Sequence, residues 1–94
     1  MKRLLPLGSV IRLEDSMDEK VLIIGRLIRS DENSEDVWDY LGVKVPEGVD
    51  GSQELLYFNQ KDIKQIVFIG LQDEDELSYC YYLSQVSEKI QPSV

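Results

Sequence analysis

The hydrophobic pattern changes its period near residue 70, and this change limits what the chain can fold into. Before residue 70, β-branched and aromatic residues occur in short runs that turn residues separate. After residue 73, apolar residues recur at the three- and four-residue spacing that is typical of a helix. The sequence therefore predicts an α+β fold, in which several short strands precede one C-terminal helix.

Five short strands are predicted within residues 7–70. Pro46, Gly48 and Gly51 give the strongest turn signal, Gly25 predicts a bulge, and residues 59–62 predict a single 3₁₀ turn. Short strands joined by tight turns predict a small, strongly bent antiparallel sheet or an SH3-like barrel of about five strands. The predicted strands cover residues 10–13, 20–28, 37–45, 55–58 and 66–70.

The helix is predicted over about residues 73–90. Acidic residues 73–76 suit a helix N-terminus, and Pro92 ends the pattern. Leu77, Cys80 and Tyr81 lie off the main apolar stripe, on the other side of the helix. The stripe itself is predicted to pack on the sheet, and its members are Tyr79, Tyr82, Leu83, Val86 and Ile90.

Length and charge restrict the classes of partner. Ninety-four residues predict one domain, over residues 1–94. Ten basic residues against eighteen acidic ones give a net charge of -8, which disfavours nucleic acid and anionic membranes. Cys80 is the only cysteine, and no apolar run approaches the ~20 residues that span a bilayer. We therefore expect a cytoplasmic protein whose partner is a protein with a basic surface.

The residue types offer little for catalysis or for a cofactor. The chain has no histidine, so Ser-His-Asp, Cys-His and His-containing zinc sites are excluded. Twelve of the eighteen acids fall in three clusters, which solvated loops and a helix start explain. Residues 31–36 have the composition of a calcium loop but lack its central Gly and its spaced Glu. We predict no enzyme, no metal and no cofactor; an enzyme that uses only carboxylates is the alternative, and it requires a deep cleft.

Apolar residues that the core does not need are the candidates for binding a partner. Leu77 and Tyr81 are the first candidates, because the predicted stripe leaves them on the opposite face of the helix. Trp38 and Tyr40 form a second predicted patch, although aromatic residues also dominate small cores. A homodimer through such a patch is a further expectation.

Four segments, taken together, resemble the domain-of-unknown-function family 4176. They include Leu-Leu-Pro-Leu-Gly-Ser-Val-Ile at residues 4–11 and Val-Leu-Ile-Ile-Gly-Arg-Leu at residues 21–27. The other two are residues 38–48, which contain Asp-Tyr-Leu-Gly and end in Pro-Glu-Gly, and residues 57–70, which begin Tyr-Phe-Asn-Gln. The resemblance covers nearly the whole chain in the same order.

The resemblance implies a function but transfers no site residue. Members of this family look like cytosolic accessory factors encoded beside type VII secretion loci of Firmicutes. It implies a chaperone or targeting partner for an LXG-type toxin effector. The alternative is an immunity protein that neutralises a cognate toxin, since a small acidic domain captures a basic toxin quickly.

Overall fold

The chain folds into one antiparallel sheet followed by one helix, as the change of period predicts. The computed structural model describes residues 3–30, 33, 35–51 and 55–90, and side chains up to residue 87. A 3₁₀ turn, Gln60–Asp62, lies between the last two strands, where the sequence predicts it. The other elements are β1 (Val10–Leu13), β2 (Ser16–Ile28), β3 (Trp38–Val45), β4 (Leu56–Phe58), β5 (Ile63–Phe68) and α1 (Glu74–Ile90).

The five strands form an open sheet in the order β4-β3-β2-β1-β5. Of the two predicted architectures, the structure shows the bent sheet, because in the described part the ladder does not close between β4 and β5. One depression is lined by Glu14 and Asp15 of the β1–β2 turn and also by Tyr57 of β4. Because β2 and β3 lie between β1 and β4 in the sheet, the sheet must curl to bring the β1–β2 turn close to β4.

Two predicted strand starts are wrong by three residues or more, and pairing explains both; β5 also ends at Phe68 and not at residue 70. Ser16 pairs with Leu13, so β2 starts four residues early and only Glu14 and Asp15 form the turn. Ile63 also pairs with Leu13, so β5 starts at Ile63 and not at Ile66. Pairing with Leu13, which is local in a tight hairpin for Ser16 and long-range for Ile63, outweighs the polar character of these segments. The bulge predicted at Gly25 is confirmed by a register shift between β2 and β3.

The core lies between the bent sheet, the N-terminal segment and α1. Tyr40 and Phe58 stack with their ring centroids 5.4 Å apart. Any side chain at Gly42 would collide with Val21, which explains a glycine in the middle of β3. The buried cluster consists of Leu4, Ile11, Val21, Ile23, Tyr40, Phe58 and Leu83.

Two buried polar residues of β3 fix the turn that leads into β5. Asp39 is 1% exposed, and its Oδ2 accepts a 2.8 Å hydrogen bond from the Gln60 amide. The Asp39 amide in turn donates to Asn59 Oδ1 at 3.1 Å. Tyr40 donates its hydroxyl proton to Gln60 Oε1. The polar side chains of the Asp39-Tyr40 and Asn59-Gln60 segments therefore stabilise the fold.

Candidate protein-binding site

Helix α1 is attached to the sheet by a buried ion pair. Arg26 of β2 meets Glu76 in a bidentate contact, with Nη1–Oε2 and Nη2–Oε1 distances of 2.5 and 2.9 Å. The two side chains are only 4% and 13% exposed. The Arg26 guanidinium also lies 5.4 Å from the centre of the Tyr79 ring. Because two planar groups meet edge to edge, this contact fixes the rotation of the helix about its axis.

The backbone of Leu5 links this ion pair to the core. Arg26 Nη1 donates to the Leu5 carbonyl at 3.3 Å, and the Leu5 amide donates to the Tyr40 hydroxyl at 2.8 Å. Burial raises the pKa of the Tyr40 hydroxyl to about 12, and the neighbouring Asp39 carboxyl contributes to the rise. A continuous polar chain thus runs from Gln60 through Tyr40, Leu5 and Arg26 to Glu76.

The inner face of α1 carries small and polar residues. Among the described side chains of α1, Leu83 is the one large side chain that is buried, and Ser84 and Ser87 are buried beside it. Cys80 is half-buried, and its thiol lies 3.5 Å from the Leu4 carbonyl oxygen. Small side chains let the helix approach the N-terminal segment closely.

The predicted packing stripe is therefore wrong for Tyr79 and Tyr82, whereas Leu83 is buried as predicted. Tyr79 and Tyr82 are 51% and 55% exposed, and Val86 is half-buried. The side chain of Ile90 and the helix stop at Pro92 lie outside the described residues. The helix is rotated by about a quarter of a turn from the predicted orientation, at the ~100° per residue of an α-helix. The bidentate ion pair and the serines select that rotation, although the aromatic residues carry more apolar area.

Leu77 and Tyr81 lie on the solvent side of α1, as predicted. They are 50% and 61% exposed. Both line a groove between the helix and the N-terminal segment, which we call the helix groove. One part of it is lined by Leu77 together with Ile69 and Pro6, and the adjoining part by Leu77, Tyr81 and Arg3. The helix groove is therefore lined mainly by apolar side chains, and its polar lining includes Arg3, Gln72 and Glu76.

The second predicted patch divides between core and surface. Tyr40 is 0% exposed and belongs to the core, so its prediction as a contact residue is wrong: the hydroxyl is held by Leu5 and Gln60 and cannot reach a partner. Trp38 is half-buried and packs on Tyr57, with ring centroids 6.4 Å apart. It does not line the helix groove.

Sequence reasoning missed the part of the site that comes from other elements. Ile69 follows β5 and Arg3 precedes β1, and only the fold brings them to Leu77. No periodic signal in one helix could reveal this. The serines at positions 84 and 87 did offer a signal for the rotation of α1, since small residues permit close packing.

No group of three or more Cys, Asp or Glu side chains in the described part of the chain is arranged to hold a metal ion. Residues 31, 32 and 34 of the acidic segment considered for calcium lie outside that part. Among the helices described, none has the length and hydropathy needed to cross a membrane.

The fold and the groove define a small α+β domain whose helix presents an apolar outer face. The family DUF4176, described as a domain of unknown function, matches residues 4–79, and the chain belongs to that family. The match contains the whole sheet and the first turns of α1, including Leu77. No curated protein and no solved structure matches the chain.

Proposed function

We propose that this protein is a protein-binding accessory factor that holds its partner on the outer face of α1. One observation carries the proposal: the helix buries serines and a glutamate and exposes Leu77, Tyr79, Tyr81 and Tyr82. A helix that only completed a core would present its aromatic residues inward. Large exposed apolar surfaces on small domains are typical of interaction sites.

The helix groove supplies the contact residues. Leu77 and Tyr81 are accessible and adjacent on one flank of the helix, and Ile69 extends the apolar surface towards the sheet. Tyrosine suits an interface because its ring buries apolar area while its hydroxyl keeps a polar partner. Trp38 is a second, separate candidate on the sheet.

The acidic charge indicates the kind of partner. The net charge is -8, and residues 73–75, at the start of α1, are exposed carboxylates close to Leu77. Such a surface attracts a partner with basic residues around an apolar patch and speeds its capture.

The specific partner we propose is an LXG-type effector of type VII secretion in Firmicutes, for which the protein acts as a cytosolic chaperone or targeting factor. Membership of the family supports this proposal, together with the association that the sequence resemblance implies. The proposed role contains no catalytic step and no cofactor.

Co-expression with the LXG effector and small helical proteins of the same locus tests the proposal. We expect a stoichiometric complex that Leu77→Ser with Tyr81→Ser weakens by about 30-fold or more, since an anchor residue in an interface carries ~2 kcal/mol or more. Met17→Ser with Val49→Ser is the matched control, because both side chains are apolar and exposed and neither lies on α1. If both variants form the complex equally well, the interface lies elsewhere. If the wild-type protein forms no complex at micromolar concentration, the proposed chaperone or targeting role is contradicted.

An immunity protein is the second candidate, and the acidic surface is the observation that favours it. Gene deletion separates the two roles. Loss of effector export in healthy cells supports escort, whereas self-intoxication supports immunity.

A further inference from the structure

Helix α1 contacts the rest of the fold through a narrow inner face. Depressions of about 250 and 370 Å³ lie along one flank of the helix, and a depression of about 410 Å³ lies along the other flank. The described inner face between them holds Glu76, Cys80, Leu83, Ser84 and Ser87, and only Leu83 is a large apolar side chain that is buried. Because apolar burial supplies most of the free energy that holds elements together, this contact is weak for a helix of 17 residues.

The core of the sheet depends little on α1. Of the seven residues in the described buried cluster, six come from the strands and the N-terminal segment, and only Leu83 comes from the helix. Tyr40 and Phe58 stack on each other within the sheet, and Gln60 of the 3₁₀ turn accepts the hydroxyl proton of Tyr40. The sheet can therefore keep its pairing and most of its core when the helix moves away.

The connection between β5 and α1 provides a pivot. Gly70 is fixed to the N-terminal segment, since its amide donates to Ser9 Oγ at 3.0 Å and any side chain at this position would collide with the Leu7 carbonyl oxygen. The three residues that follow are exposed. The helix is capped from its own segment, because Asp73 Oδ1 accepts a 2.9 Å hydrogen bond from the Glu76 amide. Backbone rotation after Gly70 can therefore move the helix together with its cap and leave β5 in place.

We propose that α1 is a lid that opens as a unit while the five strands stay folded, and that the Arg26–Glu76 ion pair keeps it closed. This pair supplies two charge-assisted hydrogen bonds between the helix and the sheet. The closed lid covers the Arg26 and Leu4 side chains, which are 4% and 3% exposed. The open state presents this cationic and apolar surface to solvent. Because a detached helix of this length is marginally stable in water, its own hydrogen bonds open as well.

The inference does not depend on the proposed function, because it concerns the inner face of α1 and is measured on the protein alone. If no complex formed with an effector, the opening of the lid would be unaffected. If the lid never opened, the outer face of α1 would still be accessible to a partner.

Native-state amide hydrogen exchange of the full chain, followed by NMR at low urea concentrations, tests the proposal. Amides in the middle of α1 should exchange about 100-fold or more faster, relative to their intrinsic rates, than amides at the centre of β2 and β3, because local opening costs less than global unfolding. Their exchange should also depend only weakly on urea, since opening exposes less surface than unfolding. If the α1 amides exchanged as slowly as the sheet, with the same dependence on urea, the proposal would be overturned.

A variant of the sheet separates opening of the helix from unfolding of the whole protein. Val43 of β3 is 2% exposed and lies outside the buried cluster that contains Leu83. Val43→Ala should accelerate exchange of the sheet amides about tenfold or more and leave that of the α1 amides within about twofold, since it weakens the sheet equally in the closed and open states. Equal acceleration of both sets of amides would mean that α1 opens only by global unfolding, against the proposal.

Variants of the ion pair test what keeps the lid closed. Glu76→Ala should accelerate exchange of the α1 amides about 100-fold or more, because it leaves Arg26 buried without its partner in the closed state only. Arg26→Met with Glu76→Leu should restore most of the protection, because no uncompensated charge is then buried. If Glu76→Ala left the exchange of the α1 amides unchanged, the ion pair would not hold the helix, and the proposal would fail.

Discussion

The two faces of α1 carry the opposite of what an amphipathic helix usually carries. The inner face holds Glu76, Cys80, Ser84 and Ser87 around one leucine, whereas the outer face holds a leucine and three tyrosines. On the inner face, specific polar contacts and small residues fix the position of the helix. On the outer face, apolar area is left in water. Polar residues therefore fix the position of this helix, and its apolar residues remain accessible to another molecule.

The largest effect is expected from breaking the ion pair on the inner face. Glu76→Ala leaves the Arg26 guanidinium, 4% exposed, without its charged partner. Removing one member of a buried pair costs about 3–5 kcal/mol of unfolding free energy, because the remaining charge is desolvated and uncompensated. Urea denaturation followed by circular dichroism measures this loss.

The double variant Arg26→Met with Glu76→Leu is the control for that measurement. Replacing both charges by apolar groups should recover most of the loss. If the single and double variants were equally unstable, the packing of these side chains would matter rather than their charges.

Two leucines on the same helix give the most direct test of the comparison. Leu83 is 4% exposed in the core and Leu77 is 50% exposed on the outer face. Leu83→Ala should lower the unfolding free energy by about 2–4 kcal/mol through lost burial and a cavity. Leu77→Ala should stay within about 0.5 kcal/mol of the wild type. Similar losses for both would mean that α1 buries both faces, and the helix groove would lose its accessibility.

The period of the pattern was enough to predict the fold class, the five strands and the helix. It was not enough to orient the helix, because the stripe was chosen by apolar size. Arg26 and Glu76 are fifty residues apart in the chain, and the local sequence around each residue does not predict their contact. Tyr40 shows the same limit, since its burial depends on Leu5 and Gln60 from two distant segments. Leu77 and Tyr81 could be predicted as exposed because either orientation of the helix leaves them outside.

The Tyr40 hydroxyl makes the stability sensitive to alkaline pH. Its pKa is raised from 10.0 to about 12 by burial, so the folded protein retains this proton when the unfolded chain has lost it. Below pH 10 the tyrosine is protonated in both states, and the folded protein has its full stability. As the pH rises from 10 towards 12, the unfolded chain loses the proton first, and the unfolding free energy falls by about 2–3 kcal/mol. Tyr40→Phe cannot titrate. The difference in unfolding free energy between wild type and Tyr40→Phe should therefore shift against the wild type across this window, and a constant difference would contradict the raised pKa.

The smallest effect is expected from an ion pair of the same chemistry in water. Lys44 of β3 and Glu19 of β2 lie 2.8 Å apart, and their side chains are 41% and 44% exposed. The Glu19 carboxylate raises the pKa of Lys44 through a hydrogen bond, yet water and salt screen the contact and the side chains lose entropy by making it. Lys44→Met should therefore change the melting temperature by far less than Glu76→Ala does, and the change should shrink further in high salt. Thermal unfolding of both variants at low and high ionic strength makes the comparison. Equal losses would show that charge alone, and not burial on the inner face of α1, makes the Arg26–Glu76 pair important.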